Sequence, residues 1–443
     1  MSFPRRVALQ RSIITLVALL AVALMPSASA QPVIPSEFRF LGSGYGHGVG
    51  MSQFGARGLA LEGKSAAEIL SYYYPGTQVT PFPDNQLIRV NIANRITEAT
   101  FRALRSKGSF QLFRGDIPFG QAAEPVGTYD GTFTANFAHA LGVVTPSLTS
   151  PTAKLAPFPP APAWTIRWES GTVMTMTTSA GTNQYTYGQI NLKNVSTKVS
   201  NYLAITTTLR LHDEYLWGLG EVPSSWPPAA LEAQVIAART YALTKMSKIR
   251  AECDCNIYST TFDQNFVGYT KESEPIYGAL WKEAVTRTFV DQDNALTITL
   301  NGTPINAFYF SSSGGRTQNV TEVWGGRIDY LLGVPDPWSL DPSINPRYAL
   351  WSRAVPQALM AQAFGLPNVV DYSIVARTAT GSIARITGFA QNGKRVTLTG
   401  EVFRTRVKLP STWIRDERLP LLELPQSDEC DPQRAYRTRF CLS

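Results

Sequence analysis

A chain of 443 residues is too long for one ordinary hydrophobic core, so two or three folded units are expected. Charged residues make up only 16 %, whereas 33 glycines, 30 prolines and an aromatic content of 11 % suit a protein rich in strands and loops with aromatic-lined clefts. The formal net charge is +7, and about +4 without Arg5, Arg6 and Arg11; this favours an anionic wall or membrane surface, while the absence of an arginine-rich face or base-stacking module argues against nucleic acid.

Those three arginines precede an apolar run over residues 13–25 and a small-residue site at Ala28-Ser29-Ala30. This is the pattern of an export signal at residues 1–30, its apolar run shorter than the roughly 20 residues that span a bilayer. Cleavage after Ala30 would give a secreted or cell-wall-associated protein; a retained anchor is the alternative. The four cysteines fit an oxidising compartment. Cys430 and Cys441 bracket a short loop in the tail (416–443) and could staple it. Cys253 and Cys255 are one residue apart, where a mutual bridge is expected to be strained, so they pair elsewhere, stay free or bind metal. Zinc would need further ligands, and no histidine is near them in sequence, so neither a metal nor another cofactor is expected.

After the signal, Gly42, Gly44, Gly46, Gly48 and Gly50 alternate with other residues, among them His47. In an extended chain one face of this track would be bare backbone, open to close approach by another chain or a ligand, and the other would present Tyr45, His47 and Val49. His47 is therefore a candidate site residue. No Lys-Ser/Thr follows, so the run is not a phosphate loop. Ser65 and Glu68 form a capping-box signature for a short helix ending near Tyr73.

From residue 87 to 211 the pattern is of short β-type runs, at 87–92, 110–113, 164–168, 172–177 and 186–192. Residues 145–162, with six prolines, read as a stiff linker or long loop. Residues 78–200 thus form a β-rich support domain with no cluster that suggests chemistry. The stretch 215–244 follows, and the chain is organised around it. Glu221 stands in a turn with Trp217, Pro223 and Trp226 as expected walls, ahead of a helix. Ser224 or Ser225 would cap that helix, and Pro227 and Pro228 suit its first turn. Leu231, Val235, Ala238 and Ala242 repeat as the buried stripe of an amphipathic helix, with Gln234, Arg239 and Tyr241 as its long polar side chains. Apolar walls raise a carboxyl pKa and a helix N-terminus lowers it, so Glu221 reads either as an acid poised for chemistry or as a cap.

Beyond it, a helix is expected over residues 273–286, and residues 296–300, Asn301-Gly302 and 303–310 form a hairpin signal. Ser311, Ser312 and Ser313 with two glycines at that strand end read as a polar mouth for a sugar or an oxyanion.

Several motifs resemble the SpoIID/LytB family, exported proteins that act on bacterial peptidoglycan. They are Glu221-Val-Pro with Leu231-Glu-Ala-Gln-Val-Ile-Ala-Ala-Arg-Thr-Tyr-Ala, the run from Asp263-Gln to Gly268-Tyr269, Tyr309-Phe-Ser-Ser-Ser-Gly-Gly-Arg-Thr, Tyr330-Leu-Leu-Gly-Val-Pro-Asp-Pro-Trp, and Gly46-His-Gly-Val-Gly-Met-Ser-Gln-Phe-Gly-Ala. In that family the last motif usually ends the domain; here it comes first, so the chain resembles a circularly permuted member. The resemblance implies an α+β protein: a β-rich support domain and a mixed α/β catalytic domain at 201–415, completed by the segment 31–77 carrying His47. It implies peptidoglycan glycan strands as substrate and lytic transglycosylase chemistry with Glu221 as acid and base; His47, Gln53, Gln234, Arg239, Tyr241 and Ser311 to Ser313 are the candidates for holding and stabilising the substrate, with individual roles unassigned. The alternative is a non-catalytic glycan-binding enhancer of a cell-wall amidase. A hydrolase would need a second acid, for which Asp213, Glu214 and Glu232 are the candidates.

Overall fold

The structure, a computed structural model, describes residues 33–415. The export signal and the Cys430–Cys441 pairing lie outside the described residues. The protein is α+β, with the strands gathered into a seven-stranded and a five-stranded sheet and several small ones. No helix among the described residues is long and apolar enough to cross a membrane.

In the seven-stranded sheet, Leu87–Ile96 pairs antiparallel with Asn201–Arg210 on one side and parallel with Ile257–Tyr258 on the other. This sheet therefore crosses residue 200. Ile88 and Val90, Trp164 and Ile166, and Leu203 and Ile205 share one core with Phe101 and Phe137 of the five-stranded sheet and with Leu231 and Val235 of the helix after Glu221. Strand 201–210 is buried along nearly its whole length, which explains its run of β-branched and apolar residues.

Helix α1 (Gln53–Leu61) is capped by Ser52, whose Oγ accepts from the Gly55 amide. Helix α2 (Ala66–Tyr73) carries the expected capping box of Ser65 and Glu68. Helix α3 (Pro228–Leu243) differs from expectation. Its N-cap is Pro227 with no side-chain cap, and Ser224 instead donates its hydroxyl to Glu274 at 2.6 Å. It is also buried all round rather than amphipathic. Leu231, Val235, Ala238 and Ala242 face the large core, while Ala233, Ile236 and Ala237 face a second core built with Met51, Ile69 and Tyr73. A helix held between two cores must be apolar on both sides, and its alanines let both approach closely.

The N-terminal segment is woven into the region after residue 300. Glu37–Gly42 pairs antiparallel with Trp351–Pro356, and Met51–Ser52 pairs parallel with Tyr309–Phe310. The glycine track is not the open extended strand expected. Gly44, Gly46, Gly48 and Gly50 all have φ between +81° and +114°, so side chains do not alternate across it. The bare backbone is covered by the protein itself. A Cβ on Gly48 would strike the Gln318 side chain, and one on Gly50 would strike the Phe308 carbonyl oxygen. Glycine here serves close backbone packing at a φ other residues avoid.

Three further expectations are corrected. Asn301-Gly302 does turn a hairpin, but its second arm is only Thr303–Pro304, because Tyr309 and Phe310 are recruited by Met51 and Ser52. Residues 143–149 are an edge strand of the five-stranded sheet, where Pro146 is tolerated, so the expected loop begins later. Cys253 and Cys255 are bridged to each other, with Cα atoms 5.2 Å apart. Asp254 between them takes the left-handed conformation (φ +54°), which brings the two sulfurs together, and its carboxylate pairs with Lys193 at 2.9 Å and with Arg89.

Candidate functional site around Glu221

The turn bearing Glu221 is fixed by backbone bonds to a second loop. Gly220 N donates to Asn265 O at 2.8 Å, and Leu219 bridges Phe266. This places Glu221 against residue 265 and away from the helix amides. Glu221 Oε1 accepts from the Asn265 amide at 2.6 Å and from the Tyr309 hydroxyl at 3.0 Å. Gln53 also donates to the carboxylate, and its Nε2 donates to Gln234 Oε1 at 3.2 Å. The capping alternative for Glu221 is therefore ruled out by its donors. Among the described residues, Glu221 makes no salt bridge.

Burial raises the Glu221 carboxyl above its usual range, and the Asn265, Tyr309 and Gln53 donors oppose that rise in this order. Behind it runs a chain of neutral groups. Gln264 Nε2 donates to the Tyr309 hydroxyl at 2.8 Å and to Ala238 O at 3.1 Å, and Gln264 Oε1 accepts from Tyr215 at 2.7 Å. With Oε1 already accepting two donors, a proton on Glu221 belongs on Oε2. Sequence reading assigned no role to Tyr309, Asn265 or Gln264, although all three stand inside the motifs quoted above.

The other expected site residues divide clearly. Gln53 and Gln234 are buried beside the carboxylate. Tyr241 lies near it but donates its hydroxyl to Asp263 at 2.9 Å. His47 is one residue removed: it hydrogen-bonds the Tyr309 backbone, accepts from the Val49 amide at Nδ1 (3.1 Å), and packs on Phe310 and Trp324. Burial, then the Arg404 charge, pushes its imidazole down to about 4 against the Tyr309 backbone, so it is neutral at pH 7.

Arg239 points into the core. It is fully buried, with Nε 2.7 Å from Asp84, which in turn meets His212 Nδ1 at 2.6 Å. A guanidinium this deep needs a carboxylate partner, and Asp84 in the loop between strands 78–83 and 87–96 supplies one. Ser312 and Ser313 also turn inward. Asn345 donates to Ser312 Oγ at 2.8 Å, and Ser313 Oγ accepts from the Gly315 amide and joins the shell of buried Asp336. Ser311 is half-buried, and its carbonyl accepts from Phe54 N. The serine run is thus an internal network rather than a mouth. Trp217 is no wall of Glu221 either; it packs on Tyr187 and Lys282.

Each candidate second acid is engaged elsewhere. Asp213 and Glu214 both pair with Arg210, and Glu232 lies 3.6 Å from Arg287. Two hollows, one lined by Tyr185, Phe266 and Glu272 and one beside Glu322 and Glu401, do not include Glu221.

Residues 202–291, which hold Glu221 and α3, match the family model described as SpoIID, stage II sporulation protein. The chain is 34 % identical over 125 residues to the amidase enhancer of Bacillus subtilis (strain 168), covering 28 % of this chain and 15 % of that protein. It is 29 % identical over 210 residues to stage II sporulation protein D of the same organism, and 30 % over 211 residues to that of Bacillus amyloliquefaciens. Each of these two matches covers 45 % of this chain and 58 % of the relative, so the chain spans little more than half of the sporulation proteins and a small part of the enhancer. No solved structure matches. Residues 202–291, with the Glu221 turn and buried α3, are thus the SpoIID-like part of the chain.

Proposed function

We propose that the protein is a lytic transglycosylase of peptidoglycan, with Glu221 as its general acid and then its base. The observation that carries this reading is the state of Glu221: desolvated, raised in pKa, held by neutral donors and free of any cation among the described residues. A carboxyl so placed stays protonated at higher pH than an exposed one and can deliver a proton. In the proposed step, Glu221 Oε2 gives its proton to the glycosidic oxygen between N-acetylmuramic acid and N-acetylglucosamine, and the C1–O bond breaks. The muramyl C6 hydroxyl then attacks C1, and the Glu221 carboxylate takes up that hydroxyl's proton. The product is a 1,6-anhydro sugar, no water is consumed, and the acid is regenerated.

One acid suffices for this route, and Asp213, Glu214 and Glu232 are each paired with arginine, which favours it over two-carboxylate hydrolysis. We also read the chain as a permuted form in which residues 38–77 complete the domain; the strand pairings of residues 37–42 and 51–52 and the Gln53 contact with Glu221 support this. Export to the cell wall is part of the same reading.

The test is Glu221→Gln incubated with purified wall: loss of anhydromuramyl products from a folded variant is expected, and undiminished release rejects the assignment. A second reading, a non-catalytic module that grips glycan for a separate amidase, is favoured by the relative named amidase enhancer. It predicts wall binding with no anhydro sugar from wild type.

A further inference from the structure

Trp324 is 49 % exposed, an unusual state for the side chain with most to gain from burial. Its ring is nevertheless fixed. His47 lies 4.8 Å away at 51°, and Phe308 lies 4.9 Å away edge-on at 62°. These contacts hold one side of the indole and leave the rest to solvent. The two residues that follow, Gly325 and Gly326, have φ of +77° and +73°, and a Cβ at either would meet nothing within 4 Å, so the loop carrying Trp324 is open at this point. The ring also connects to the chemistry. Phe308 and His47 flank Tyr309, the first through the chain and the second through a backbone hydrogen bond, and Tyr309 donates to Glu221. The neutral His47 beneath the ring adds no charge to this face.

We infer that Trp324 is a sugar-stacking residue at the border of the Glu221 site, taking the apolar face of a pyranose ring in a glycan strand. The inference rests on the glycan substrate proposed above. A pre-ordered, exposed indole linked through Tyr309 to a partly buried acid suits a ring whose C–H face is apolar and whose hydroxyls remain in water.

The experiment uses the full chain carrying Glu221→Gln, so that strands are bound but not cut, and measures affinity for soluble, purified peptidoglycan glycan strands by calorimetry. Adding Trp324→Ala should weaken binding roughly threefold to tenfold, as expected for loss of one aromatic contact. Trp324→Tyr should restore most of it, and Phe119→Ala, removing an exposed aromatic in the β-rich part, should change nothing. Undiminished affinity in folded Trp324→Ala, an equal loss in Phe119→Ala, or no rescue by tyrosine overturns the inference while leaving the transglycosylase reading intact. Weakened capture of an amidase with unchanged glycan affinity also overturns it, marking Trp324 as a protein contact. Failure of the Glu221→Gln parent to bind glycan rejects the substrate reading itself, and this inference with it.

Discussion

The Tyr309 hydroxyl donates to Glu221 Oε1 at 3.0 Å while accepting from Gln264 Nε2 at 2.8 Å. Tyr309 therefore orients one carboxylate oxygen and leaves the other to carry the proton. Tyr309→Phe removes a donor that holds the Glu221 pKa down, so the acid form should persist to higher pH. The alkaline limb of the activity profile is expected to move upward, with roughly a tenfold loss at the optimum for one hydrogen bond. A profile of unchanged shape would show that Tyr309 acts only through packing.

Glu221 itself sets a stability prediction. Its pKa in the folded protein is raised, so the fold binds this proton more tightly than the unfolded chain does. Its contribution is present below the unfolded value of about 4.5 and is lost as pH rises through the folded one. Glu221→Gln removes the need to bury that charge, so its Tm at pH 7 should equal or exceed wild type, with the gap closing toward pH 4. A lower Tm at pH 7 would mean that the ionised carboxylate is a structural partner.

His47 has the opposite sign. Its imidazole is lowered from 6.5 to about 4, so the unfolded chain takes up the proton first as pH falls. The stability it confers is complete above pH 6.5 and is lost between there and pH 4. Denaturant midpoints should fall across this window in wild type and less steeply in His47→Asn. Parallel slopes would remove His47 from the account of acid sensitivity.

Arg239 separates structural from substrate-binding roles. Arg239→Ala leaves Asp84 buried without its cation and should cost about 3–5 kcal/mol. The fraction that remains folded should bind glycan as wild type does. A selective loss of glycan affinity with normal stability would return Arg239 to the substrate.

Gly50 tests the glycine track. With φ at +81° and the Phe308 carbonyl against it, Gly50→Ala should destabilise by more than about 1 kcal/mol, read from denaturant midpoints. An unaffected midpoint would show that residues 44–50 can shift as a unit without cost.

The features legible in sequence were those written locally. The Ser65–Glu68 box, the Asn301-Gly302 turn and the short strands of residues 87–192 depend on neighbours a few positions away, and the Glu221 turn stood out by composition. What was hidden depends on partners far along the chain. Arg239 looked available because Asp84 is 155 positions earlier, and Ser312 and Ser313 looked open because Asn345 and Asp336 close over them. The stripe on α3 suggested one buried face because the second core, from the N-terminal segment, is not visible in the helix itself. The glycines announced an unusual backbone, but alternation alone could not distinguish an extended track from successive positive φ values.

The central claim is that one desolvated carboxyl group cuts glycan by internal attack, and mass spectrometry of a wall digest made with this protein alone tests it most directly. The account predicts anhydromuramyl ends from wild type and none from folded Glu221→Gln. Free reducing ends from wild type, or equal anhydro product from both proteins, would contradict it.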